Sequence, residues 1–237
     1  MLQQRTGQRL TSIRVGLGAL FGLLICAMPL KAQDFQLGID FSAVNPKGDF
    51  RQINGNGYGV GGQFAVGLGR KPIFIGVDAG IVRYGSESRR ETLSGSIPDI
   101  AVDVDTDNNI LLTHFLFRVQ PRTGRVRPYA DGLIGFKYLF TQTRVTADDN
   151  DEPLATTTNF SDFAFSYGVG SGIQIRLASL GGGREIALDG KARYLWGSHA
   201  DYLREGSLMR ENGEVVFDVL SSRTNALSAQ VGVTFRF

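Results

Sequence analysis

Few side chains in this sequence could perform chemistry. Cys26 is its one cysteine, and His114 and His199 are its two histidines. A serine hydrolase needs a base within hydrogen-bond reach of the hydroxyl and an acid to orient that base, so any such centre must use one of these imidazoles. Ser198-His199 with Asp201 close by supplies all three residue types. Adjacent residues on an extended chain point apart, however, which makes this dipeptide a poor dyad. His114 stands four residues before Arg118 on an alternating stretch, where an imidazole reads as an interior hydrogen-bonding group. Two histidines without a neighbouring thiol fall short of a metal site. No catalytic residue, metal or cofactor is therefore expected, and the chain reads as a non-enzyme.

Cys26 falls in a segment of another kind. Arg5, Arg9 and Arg14 make a basic start, Val15 to Ile25 an apolar stretch, and Leu30-Lys31-Ala32-Gln33 supplies a small residue for cleavage. That is the layout of a secretory signal, and the apolar run is shorter than the ~20 residues of a spanning helix. A signal peptide over residues 1–33, cut after Ala32 or Gln33, is expected, with one domain over 34–237. Leu23-Leu24-Ile25-Cys26 partly matches a lipoprotein cleavage box, but Ile25 is not the small residue that box requires.

Residues 1–33 hold four of the 25 basic residues and none of the 23 acidic ones, leaving 21 against 23 and a net charge of −2. The positive charge of the full chain thus belongs to its leader, and no nucleic-acid partner is implied.

The remaining charges gain meaning from the elements that carry them. Beyond Asp34, alternation at period two recurs, the mark of β-strands. Leu227, Ala229, Val231, Val233, Phe235 and Phe237 alternate with Ser228, Gln230, Gly232, Thr234 and Arg236. Ile186, Leu188, Ala192, Tyr194 and Trp196 likewise stand against Glu185, Asp189, Lys191 and Arg193. With Phe35 to Ala43, Tyr58 to Gly69, Ile73 to Tyr84, Asn109 to Gln120, Pro128 to Thr143 and Phe163 to Leu177, these make eight strands. Short Gly-, Pro- and Arg-rich links, Arg70 to Pro72, Pro121 to Val126 and Ala178 to Arg184, read as tight turns and alternate with long polar ones. The long ones include Ser86 to Asn108, the acidic Asp148 to Glu152, and Ser198 to Asn225. Within the long links, Ile100 to Val104 and Glu214 to Val219 alternate again, and Asn212-Gly213 suits a hairpin turn. They are expected to extend strands above a membrane, with ten spanning strands as the alternative to eight.

A soluble sandwich also alternates, so the polar face must decide. Tyr58-Gly59-Val60-Gly61-Gly62-Gln63 and Tyr167-Gly168-Val169-Gly170-Ser171-Gly172 place small residues mainly on that face, as filling a narrow barrel requires. Aromatic residues gather at strand ends on the apolar face, as in the girdles of a membrane barrel. The expected fold is all-β: a transmembrane antiparallel up-and-down β-barrel. By parity its lumen then receives Asp40, Asp78, His114, Arg118, Asp131, Lys137, Gln174, Arg176, Glu185, Asp189, Lys191, Arg193 and Arg236. Both signs are interleaved, and charges withdrawn from water must be paired.

The sequence resembles the small outer-membrane β-barrel family that includes the OmpA membrane domain and OmpX, in particular the "outer membrane protein beta-barrel domain" group. The likeness covers essentially all of 34–237. It rests on Phe35-Gln36-Leu37-Gly38-Ile39-Asp40, Pro46-Lys47-Gly48-Asp49-Phe50, Pro128-Tyr129-Ala130-Asp131-Gly132-Leu133-Ile134-Gly135 and the terminal Val231-Gly232-Val233-Thr234-Phe235-Arg236-Phe237. It implies the bacterial outer membrane and contact with its lipids, including lipopolysaccharide. The terminal strand, through Val231, Val233, Phe235 and Phe237, resembles the signal read by the outer-membrane assembly machinery. Family members serve structural, adhesive or uncharacterised surface roles, so a structural or surface-interaction barrel with a charged, plugged lumen is expected, its loop partner unspecified. A narrow solute or ion channel is the alternative, and an enzyme acting on envelope lipids the third reading.

Overall fold

The computed structural model describes residues 34–53, 55–94, 97–147, 153–211 and 214–237. The expected leader, the acidic run Asp148 to Glu152 and the turn Asn212-Gly213 lie outside them. Ten strands follow one another: β1 (Phe35–Pro46), β2 (Gly57–Gly67), β3 (Ile73–Ser94), β4 (Ile97–Val119), β5 (Val126–Ala147), β6 (Pro153–Gly181), β7 (Arg184–Gly197), β8 (His199–Glu211), β9 (Glu214–Arg223) and β10 (Ala226–Arg236). A short helix, α1 (Asp49–Ile53), interrupts the first connection.

Eight strands close into an antiparallel barrel in the order β1-β10-β7-β6-β5-β4-β3-β2. The β1–β10 seam runs from Gln36 opposite Arg236 to Pro46 opposite Ala226. Closure leaves no unpaired strand edge in the wall, which in hydrocarbon would cost several kcal/mol per orphaned backbone group. β8 and β9 pair with each other in a separate sheet. The ten-strand alternative is therefore wrong: the second hairpin rises from the β7–β10 connection.

Side-chain parity follows the sequence. On β1, Leu37, Ile39 and Phe41 face outward while Gln36, Asp40 and Ser42 are buried. On β7, Leu188 and Trp196 face outward and Asp189, Lys191 and Arg193 inward. Phe74, Leu116, Leu133 and Leu195 also point inward, with Ala65, as a small apolar cluster within the lumen.

The strands on the loop side are longer than expected. β3, β4, β5 and β6 run 22, 23, 22 and 29 residues, against about 9–11 for a membrane crossing. The link Ser86 to Asn108, expected to carry strand extensions, is strand over all its described residues, 86–94 and 97–108. Past Tyr84 the apolar alternation of β3 stops, and charged residues stand in register there: Arg90 lies opposite Asp103, and Asp105 opposite Arg144. At the other end β6 continues to Gly181, so the stretch expected as a turn from Ala178 to Arg184 narrows to Gly182-Gly183, both in the left-handed region.

Candidate functional site

The inward charges meet in one network at mid-height. Arg118 on β4 stands opposite Asp131 on β5 and grips it with two bonds, Nε to Oδ1 at 2.7 Å and Nη2 to Oδ2 at 2.9 Å. Its guanidinium also donates to Gln63 at 3.1 Å and covers the Tyr129 ring at 3.8 Å. Arg193 donates to Asp78 at 2.8 Å and to Asp131 at 3.2 Å. The second contact is made past Gly170, which lies in register between Asp131 and Arg193. A Cβ on that glycine would sit 2.6 Å from the Arg193 Cγ.

Asp189 is the other hub. One oxygen accepts from the Tyr129 hydroxyl at 2.6 Å, the other from Gln63, Gln174 and Thr234 at 3.1–3.3 Å. Lys191 donates to Asp40 at 2.8 Å and to Gln63 at 3.1 Å. The pairs thus join β1, β2, β3, β4, β5, β6, β7 and β10 across the axis. Ion pairs in such a low-dielectric space are tolerable only when their remaining polar atoms are also bonded.

Different chemistry occupies the two ends. At the short-turn end Arg236 and Arg122 hold the Asp34 carboxylate and both cover the buried Phe74 ring. Arg127 and Arg176 share Glu185 at 2.6 and 2.9 Å. Towards the loops, Lys137 donates to the Thr224 carbonyl. Above it Phe50 of α1 meets Tyr202 of β8 edge to face at 5.1 Å and Tyr84 at 5.8 Å. These rings pack with Ile110, Leu139, Ala164 and Ala200 across the mouth. Burial raises the Tyr202 phenol above its ordinary pKa, against the opposing pull of its 2.8 Å bond to Ser222.

The family model described as "Outer membrane protein beta-barrel domain" matches residues 17–237. The chain belongs to this family. It is an outer-membrane β-barrel of bacteria. No curated protein matches it significantly. Solved structures similar to it include Neisserial surface protein A, at 14% identity over 85% of this chain and 95% of that one, TM-score 0.38. Ail of Yersinia pestis, solved with a heparin analogue, is similar at 13% identity over 86% and 97%, TM-score 0.33. The N-terminal barrel of Pseudomonas aeruginosa OprF is similar at 10% over 85% and 97%, TM-score 0.32. Likeness at this level extends to no residue or ligand of this chain.

Within this outer-membrane barrel every inward residue expected from parity lies in the lumen or at its rim, Arg176 being the most open, with 39% of its side chain exposed. Val231 on β10 and Phe237 just after it face outward. Several members of the network were not anticipated: Gln36, Gln63, Gln120, Arg127 and Tyr129. Arg127 and Tyr129 share the parity of Asp131, a signal sufficient to find them. Ser166 was missed as well. Its Oγ lies 3.0 Å from the His114 Nε2, reached past Gly135, which stands in register between them. Asp78 is opposite His114, so serine, histidine and aspartate adjoin. Yet Ser166 and His114 are both buried, the Ser166 hydroxyl is within 3.2 Å of the Trp196 carbonyl, and Asp78 holds Arg193. Ser198, the other candidate, accepts from the Phe165 amide and donates to the His199 carbonyl.

Proposed function

We propose that this outer-membrane barrel is a non-conducting surface scaffold: its lumen is plugged by its own side chains, and its extended strands present a binding surface outside the cell. One observation carries the reading. The Arg118, Arg193 and Asp189 bonds cross the axis at mid-height, while Phe50 and Tyr202 pack over the loop-side mouth. An eight-strand barrel has an interior just wide enough for side chains to fill, so solute passage would require several of these bonds to break together. The test is electrical: purified protein in a planar bilayer is expected to remain silent.

The same reading makes the chain a non-enzyme, because the Ser166–His114 contact lies where no envelope lipid reaches it. Its lipid partners are the surrounding outer-membrane lipids, including lipopolysaccharide around the loop-side half. β10, with Val231, Val233, Phe235 and Phe237 on one face, is the strand offered to the assembly machinery by β-augmentation. The leader within residues 1–33 acts as the export signal and is removed after Ala32 or Gln33. The mature chain from the outer-membrane fraction should therefore begin at Gln33 or Asp34 by peptide mass, and retention of an acylated Cys26 would overturn that assignment.

A further inference from the structure

β8 and β9 take no part in the closed wall. Among the described residues they pair as strands with each other alone, from His199 opposite Arg223 to Glu211 opposite Glu214. The hairpin leaves the barrel at two breaks, Ser198 after β7 and Thr224-Asn225 before β10. These breaks are tied to one another: Thr224 donates through its amide and its hydroxyl to the Ser198 carbonyl at 3.3 and 3.4 Å, and the Gly197 amide donates to the Asn225 Oδ1 at 3.0 Å. They are also fastened to the rim, the Ser198 amide donating to the Phe165 carbonyl at 2.8 Å and the Lys47 amide to the Asn225 carbonyl at 2.9 Å. Two short breaks side by side at the base of an otherwise regular element have the form of a hinge.

Beyond the hinge the hairpin rests on the inner face of the extended strands, β8 lying against β3, β4, β5 and β6. The surface covered there is only partly apolar. Tyr202 sits on the Phe50 ring, but Asn108 and Thr141, the next inward rung above Ile110 and Leu139, are buried and bonded to each other at 2.6 Å. The Tyr84 hydroxyl is buried with no partner among the described residues, so closure strips its hydration uncompensated. Outside the aromatic contacts, β8 is held by the Asp201 amide donating to the Asp162 carboxylate at 2.8 Å. An isolated two-stranded hairpin is marginal in water, and an element with few apolar contacts opens before the body that carries it.

Lys137 grips the hinge from inside the lumen. It is buried, stands in register between Leu112 and Ala164, and donates to the Thr224 carbonyl. Among the described residues it meets no carboxylate, whereas Arg118, Lys191 and Arg193 each hold one. A buried ammonium without a counter-ion loses more in desolvation than one carbonyl restores, so this lysine adds little to the stability of the wall, and its one bond falls on the hinge. We propose that the β8–β9 hairpin is a cap that opens as a unit about Ser198 and Thr224-Asn225, with Lys137 as its latch, over a barrel that stays closed and plugged at mid-height. This structure shows the cap shut. Opening uncovers Tyr84, Asn108 and Thr141 on the inner wall of the extended strands, so the cap controls access to part of the surface proposed above; it rests on that reading for its purpose and not for the motion.

The test is thiol access in the folded, detergent-purified protein. Cys26 is the one cysteine of the chain and lies in the leader, so a cysteine placed within 34–237 is labelled without background. Ala200→Cys sits on the buried face of the cap, Ala65→Cys in the lumen cluster away from the mouth, and Ser161→Cys on the exposed face of β6. Maleimide should label Ser161→Cys at once, Ala200→Cys slowly and Ala65→Cys not at all. Adding Lys137→Met should speed the Ala200→Cys reaction about tenfold, the effect of one hydrogen bond from a charged group, while the heat-modifiable band is unchanged. In hydrogen exchange the amides of β8 and β9 should open together, ahead of the wall, and quicken by the same factor. Labelling of Ala200→Cys no faster than of Ala65→Cys would overturn the proposal, since the hairpin would then open only with the barrel. So would labelling as fast as at Ser161→Cys, a rate unmoved by Lys137→Met, or an equal acceleration at Ala65→Cys, which would make Lys137 a support of the whole barrel. Failure of the non-conducting reading appears as current in a bilayer and leaves these rates untouched.

Discussion

Arg118→Met lowers the unfolding free energy of the barrel in detergent by about 3–5 kcal/mol, the usual cost of removing one partner from a buried ion pair. The Arg118 side chain is fully buried and bonds Asp131 through two of its nitrogens. Its loss leaves Asp131 with Arg193 alone, strips a donor from Gln63 and uncovers the Tyr129 ring. Replacing Asp131 with Leu in the same chain should return part of the loss, because the charge no longer needs a partner and Arg193 keeps Asp78. Chemical unfolding followed by tryptophan emission measures both. A single variant as stable as wild type, or a double variant no better than the single, would show that this pair does not bear on the stability of the barrel.

Phe237→Asp should remove most of the heat-modifiable folded band from unboiled gel samples and shift the protein to the periplasmic or degraded pool. Phe237 is 53% exposed on the outer face, and its amide and carbonyl close the last rung of the seam with Phe35 at 2.9 and 3.2 Å. In lipid a fully buried ring contributes on the order of 2 kcal/mol. A carboxylate near the interface adds a penalty of at most about 1 kcal/mol. The equilibrium loss alone is therefore modest. The large effect arises earlier, when β10 must pair as an edge strand with its apolar face correctly turned. Thr234→Ser, on the inward face, keeps the hydroxyl that donates to Asp189 and should fold normally. Normal yield for Phe237→Asp together with collapse for Thr234→Ser would reverse the assignment of the two faces.

The sequence made legible the side of the wall on which each residue lies. Alternation at period two, with lipid on one face, forces Leu188 and Ala192 one way and Asp189 and Lys191 the other. Which charge meets which partner was not legible, because pairing depends on register between strands far apart in the chain. The Arg193–Asp131 bond spans 62 residues and needs Gly170 between them. The His114–Ser166 contact likewise depends on Gly135. Phe50 entered only as part of the Pro46 to Phe50 motif, with no signal of its burial. It is one aromatic residue in a five-residue helix within an irregular connection, with no period to mark it as interior, and only the return of β8 over the mouth supplies Tyr202 to cover it. The strand extensions were legible only in part: Ile100 to Val104 alternates, but around it Arg90 against Asp103 and Asp105 against Arg144 carry the ladder with polar residues that leave no apolar period to follow.

Conductance across a planar lipid bilayer tests the plugged-scaffold reading most directly. Folded wild-type protein, verified by heat modifiability, should give no discrete steps. Arg193→Ala, which releases Asp78 and takes from Asp131 one of its two arginine partners, should be the variant that begins to leak. Reproducible single-channel steps from the wild type, abolished when Asp78 or Arg193 is replaced, would contradict it and make the same charges the lining of an ion path.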